Sequence, residues 1–188
     1  NHYYPAVEGD QYWIGPVYSS GSIKFEGTEY QDLLLNYDVY NQLVMTAMVQ
    51  DGFIINVILD KSRIDHFFIN QDQFVHIRDG QGILLPGFYR LCFERQDLQL
   101  YALNSKDIVG NNFTGALTKK FVQHNELFLI LDGKVFKIDK KKDLRLAFSG
   151  RPEMINSMKQ SSLRFNKVNL EQDLVRFLSN YYQSDSNL

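Results

Sequence analysis

The strongest constraint in the sequence is a pair of apolar runs, Leu127-Phe128-Leu129-Ile130-Leu131 and Lys134-Val135-Phe136-Lys137-Ile138, joined only by Asp132-Gly133. Two residues are enough to reverse a strand when both accept positive φ, and Asp-Gly does so in a type I′ turn. A chain with such a hairpin is committed to antiparallel β structure there. The same punctuation recurs upstream. Ser22 to Phe25 leads through Glu26-Gly27-Thr28 to Tyr30 as a half-solvated hairpin, and Gln50-Asp51-Gly52 turns into Phe53 to Leu59. Aromatic residues at 14%, with 14 Phe and 11 Tyr, add to the preference for strands.

Further strands are expected around Tyr12 to Tyr18, where Gly15-Pro16 suits a bend or an edge, and over Leu33 to Met48, Ile64 to Ile69, Phe74 to Ile77, Gly87 to Phe93 and Leu98 to Asn104. Phe53-Ile54-Ile55-Asn56-Val57-Ile58-Leu59 is too apolar for an exposed edge and is expected centrally in a sheet. Lys106 to Thr118, with Gly110-Asn111-Asn112 and Gly115, is expected as a flexible connection. After Asp139 the period changes. Lys142 to Phe148 fits a short helix. Pro152 can open a second with Met154, Ile155 and Met158 on one face, and Asn169 can cap a third carrying Leu170, Leu174, Phe177, Leu178 and Tyr181. The tail from Gln183 is expected to fray. The expected class is α+β: a predominantly antiparallel β domain, barrel- or sandwich-like, over residues 1–139. A helical segment over 140–188 would pack on it as part of one structural unit, and 188 residues suit that size.

Composition narrows function. A net charge of -2 with 22% charged residues lacks the basic excess of a nucleic-acid binder. No apolar run approaches the roughly 20 residues of a transmembrane helix. Lys140-Lys141-Lys142, with Lys137 and Arg145, is the one basic run and fits a solvated helix start. Cys92, the single cysteine, can form no internal disulfide and sits in an apolar run, as a small buried hydrophobe does.

Catalytic signatures are missing: there is no G-x-S-x-G elbow, no phosphate-binding glycine loop and no H-E-x-x-H. His66 and His76 lie on strands that could adjoin, with Asp65 or Asp79 near, and a zinc site built on them is weighed against histidines on an outer strand face. Glu26, Glu29, Asp32 and Asp38 are dense enough to consider as paired carboxylates, against solvent-facing charges. Asn112-Phe113-Thr114 matches a glycosylation acceptor, a triplet common by chance. No cofactor, no metal and no enzymatic activity are expected. The tyrosine-rich front carries the functional expectation. Tyr3, Tyr4, Tyr12, Trp13 and Tyr18, with Tyr30, Tyr37 and Tyr40 behind them, are residue types that anchor protein interfaces or stack on sugars, and that otherwise pack the fold with their hydroxyls shown.

Several segments together resemble a known group. They are Gly21-Ser-Ile-Lys-Phe-Glu-Gly-Thr-Glu-Tyr30, the run Leu34-Leu-Asn-Tyr-Asp-Val-Tyr-Asn-Gln-Leu-Val44, Pro86-Gly87-Phe88-Tyr89, and the closing Leu163-Arg164-Phe165 and Tyr181-Tyr182. In this order the chain is similar to uncharacterised secreted proteins of Bacteroidota that share a "G-x-v-x-y-x-G-x-x-Y … l-x-Y-D-v" opening and a "k-k-x-l … l-x-F-x-k" ending. The resemblance implies export, to the periplasm or the outer-membrane surface of a Gram-negative cell. A start without Met or leader is expected of a mature exported chain or of a trimmed one. The resulting expectation is a non-enzymatic accessory or binding domain that joins an outer-membrane protein complex through its N-terminal aromatics. A carbohydrate-binding or carbohydrate-processing module using the same rings and the carboxylates near Glu29 and Asp38 is the alternative.

Overall fold

The computed structural model of the chain describes residues 7–80, 82–95, 97–111 and 118–185. Eleven strands run β1 (Val7–Glu8), β2 (Ser19–Phe25), β3 (Thr28–Asp38), β4 (Leu43–Gln50), β5 (Phe53–Ile58), β6 (Ile64–Ile69), β7 (Asp72–Ile77), β8 (Gly87–Arg95), β9 (Leu98–Asn111), β10 (Thr118–Leu131) and β11 (Lys134–Ile138). Three helices follow: α1 (Lys141–Ala147), α2 (Pro152–Gln160) and α3 (Leu170–Asp185). Hydrogen-bonded neighbours run β1-β10-β9-β8-β7-β6-β2-β3-β4-β5, with β11 added to β10. Among the pairings whose registers are defined, only the short β1–β10 contact is parallel. This order has two ends, so the sheet is open. It is sandwich-like, and the barrel alternative is set aside.

By compactness the chain falls into two units, residues 1–78, 86–90 and 104–125, and residues 79–85, 91–103 and 126–188. In the first, the turns are set by local chemistry. Glu26-Gly27 and Asp51-Gly52 both hold positive φ at each residue (50° and 77°, 52° and 80°), as a two-residue hairpin of the I′ kind requires. Gly21 is required for a different reason. A Cβ there would run into the Phe68 carbonyl oxygen, where β2 shifts register against β3. The core of this unit joins Ile23, Leu35, Tyr37, Val39, Val44, Ile64, Phe67, Ile69, Phe74 and Phe88. Phe67 stacks on Phe74 at 4.9 Å, and the Tyr37 ring meets Phe67, Phe74 and Phe88 edge-on.

The second unit contains β11 and the adjoining parts of β10, β9 and β8, together with all three helices. Its core shows both periods. Leu98, Leu100 and Ala102, and likewise Leu127, Leu129 and Leu131, alternate along strands. Leu144, Phe148, Met154, Met158, Leu170, Leu174, Phe177 and Leu178 follow helical spacing. Asp132 and Gly133 have φ of 50° and 75°, so the Asp-Gly hairpin forms as its residues dictate. Cys92 packs half-buried at the margin of this core. Asn169 takes the N-cap position of α3, its carbonyl accepting from the Asp173 N–H at 2.8 Å. Arg151, ahead of α2, pairs with Asp97 and with Asp132 and so joins two β turns to the helix start.

Five expectations are corrected. Residues 12–18 form bends with one bridge, Tyr12 to Asp38, because the backbone there bonds to β3 only in places. Lys106 to Asn111 continues β9, and β10 begins at Thr118. The expected glycosylation triplet at 112–114 lies outside the described residues. Asp38 is buried, not solvent-facing, since its carboxylate accepts from the Asn41 N–H and side-chain amide at 2.8 Å each. Helix α3 holds its form as far as Asp185. Finally, β5 is the end strand of the sheet and exposed, because its outer side has no neighbour among the described strands.

Candidate functional site

The N-terminal aromatics are held inward. Tyr3 and Tyr4 lie outside the described residues; Tyr12, Trp13 and Tyr18 are each half-buried. Trp13 donates its backbone N–H to Tyr37 O at 2.9 Å and its indole N–H to Asp72 Oδ2 at 2.9 Å. Its ring meets the edge of Phe74 at 5.5 Å, and the Arg90 guanidinium lies 5.3 Å from its centre. Lys106 donates to the carbonyls of Asp10 and Tyr12, and Val39 N–H donates to Gln11 O. Burial, with the charges of Asp38 and Asp10, raises the Tyr12 pKa; burial and then Tyr12 raise that of Tyr18. This segment therefore straps the end of β3. Its exposed large apolar side chains are Ile14 and Val17, while Tyr12, Trp13 and Tyr18 are only partly accessible.

The titratable candidates do not converge. His66 stands opposite Val75 in the β6–β7 ladder, so His66 and His76 project from opposite faces. His66 pairs with Glu29 at 3.2 Å, while His76 Nδ1 contacts Ile64 O at 3.0 Å beside the Phe88 ring. Among the described residues no group of three or more His, Cys, Asp or Glu could hold a metal. Glu26 is taken by Arg63, which with smaller effects holds its pKa down. Glu29 and Asp38 are nine positions apart on β3, roughly 30 Å at the usual strand rise. A pair acting on one glycosidic bond needs about 5 to 10 Å. One open depression of about 430 Å³ is lined by Ser20, Gly21, Ser22, Gln31, Asp32, Phe68 and Asn70. Asp32 is the sole carboxylate in that lining, with no base beside it.

What the first unit does present is the β4–β5 hairpin. Val49, Phe53 and Ile54 are 78%, 73% and 74% exposed, and Met48, Ile55 and Ile58 are exposed too. The β3–β4 ladder ends at Leu35–Thr46, whereas β4 and β5 remain paired to Gln50–Phe53. From Ala47 to Asn56 no described strand other than its own partner pairs with the hairpin. Val49, Ile54 and Ile58 occupy one face; Met48, Phe53 and Ile55 occupy the other, by alternation from Val44. Asp51 is the one charge between Leu43 and Ile58.

The main chain of β5 is equally open. Leu59 N–H bonds to Val44 O, continuing the register in which Met45 faces Ile58. Odd-numbered residues of β5 therefore turn their N–H and C=O toward β4, and Ile54, Asn56 and Ile58 turn theirs away. Natural edge strands are blunted by lysine, proline, bulges or a covering element. Phe53–Ile58 has no lysine, no proline and no register shift against β4. A continuous apolar run was the available signal, and it marks burial without saying what does the burying. No family model matches the chain, nor does any curated protein or solved structure.

Proposed function

We propose that this chain is a non-enzymatic binding module that engages protein by adding a strand to the open edge of β5. The observation that carries this reading is the β4–β5 hairpin, apolar on both faces and, among the described residues, unpaired along its outer main chain. Strand addition suits it, because main-chain hydrogen bonds supply affinity and the alternate side chains supply specificity. Contiguous exposed apolar surface on this scale marks an interaction site far more often than scattered single residues do. The aromatic strap at Tyr12, Trp13 and Tyr18 enters as support for β3, next to which β4 pairs, and not as the contacting surface.

The envelope setting, periplasmic or at the outer membrane, is carried in this proposal by the resemblance to exported Bacteroidota proteins. No helix among the described residues is long and apolar enough to cross a membrane. The test is capture of partners from native envelope with the wild-type chain and with Ile54→Lys, which places a charge on the edge. Loss of capture with an unchanged thermal midpoint is expected. Equal capture by both proteins would overturn the assignment.

A further inference from the structure

We infer that the partner of the β5 edge is a second copy of this chain, related by a two-fold axis through Asn56. The inference rests on the reading of β5 as a strand-addition edge and deepens it. Antiparallel pairing of a strand with itself about an axis normal to the sheet keeps like faces together. The outward main-chain groups then choose the register. With Asn56 opposite Asn56, residue 54 of each copy faces residue 58 of the other, so all three outward-facing residues are used. That makes six inter-copy hydrogen bonds, by the geometry of hydrogen-bonded antiparallel pairs. Every other two-fold register leaves at least one of these residues without a mate.

The side chains agree with that register. Ile54 lies beside Ile58 of the other copy on one face, and Ile55 beside its Val57 on the other. The two Asp51 carboxylates fall at opposite ends of the resulting four-stranded ribbon, so like charges stay apart. A partner of strong charge would find nothing to pair with between Leu43 and Ile58 except Asp51. Ile54, Ile55 and Ile58, all exposed on β5, are the apolar side chains that this pairing brings beside apolar neighbours of the other copy.

Sedimentation of the purified chain, from low micromolar to several hundred micromolar, tests this. A dimer is expected for the wild type and a monomer for Asn56→Pro, which removes an N–H that the chain's own hairpin does not use. Ile54→Lys should also be monomeric, and it decides the matter alone if the proline variant fails to fold. In a Cys92→Ser background, Asn56→Cys should oxidise to a covalent dimer, since hydrogen-bonded pairs place Cα atoms about 5.5 Å apart, within disulfide range. Asp51→Cys should not, its mate standing about 30 Å away. A wild type that stays monomeric throughout overturns the second copy. If envelope capture still depends on Ile54 in that case, the strand-addition reading survives; if capture is also indifferent to Ile54, both fall. Dimers that persist in both edge variants likewise overturn the proposal.

Discussion

Tyr37 is fully buried, and its hydroxyl makes no hydrogen bond among the described residues. Burial drives its pKa strongly upward, and the Gln42 amide opposes that only in part. A buried hydroxyl without a partner costs about 1 to 3 kcal/mol. Tyr37→Phe is therefore expected to raise stability by about 1 kcal/mol in urea unfolding, with the ring contacts kept; a loss of stability would reveal a partner for the oxygen. Three rings pack the phenol, and the Gln42 amide approaches its oxygen without reaching hydrogen-bond geometry. His76 titrates against burial, which lowers its pKa despite the Ile64 carbonyl and Asp65. The unfolded chain thus takes up this proton first as pH falls below about 6.5. Stability should decline from pH 7 toward the depressed folded pKa, and His76→Gln should flatten that decline in thermal melts. Trp13 was legible as an interface type, but its hydrogen bond to Asp72, 59 residues on, was not. Trp13→Ala should cost about 2 kcal/mol, less than the 3–5 typical of a fully buried aromatic because the ring is half-exposed.

At the scale of elements, the parts fixed by short-range chemistry were legible. The positive φ angles of Gly27, Asp51-Gly52 and Asp132-Gly133 follow from residue type, and Met154 and Met158 fall on the buried face of α2 as their spacing requires. Strand β5 shows where such reading stops. Its run of apolar residues has the pattern of a central strand, but rank in a sheet depends on which strands pair, and that is decided by contacts distant in sequence. Arg151 is the comparable long-range device in the second unit. It bonds Asp97 and Asp132; burial alone would raise the Asp97 carboxyl, but the hydrogen bond and charge of Arg151 hold it below the usual range. Solvent reaches this cluster, so Arg151→Met is expected to cost only about 1 kcal/mol in chemical unfolding. Gly21→Ala should cost more, because its Cβ meets main chain that cannot step aside.

At the scale of the whole molecule, the β4–β5 hairpin of this near-neutral chain carries the densest run of exposed large apolar side chains among the described residues. Nothing in composition distinguished that surface from the aromatic front, and only the pairing order did. Amide hydrogen exchange reads the edge directly. In the dimer at high concentration, the amides of Ile54, Asn56 and Ile58 should exchange slowly, and on dilution they should speed up toward unprotected rates. Those of Ile55 and Val57, bonded within the hairpin, should change far less. If Ile54, Asn56 and Ile58 exchange at unprotected rates at every concentration while Ile55 and Val57 remain protected, no strand is added to β5 in the purified protein, and the second copy is excluded.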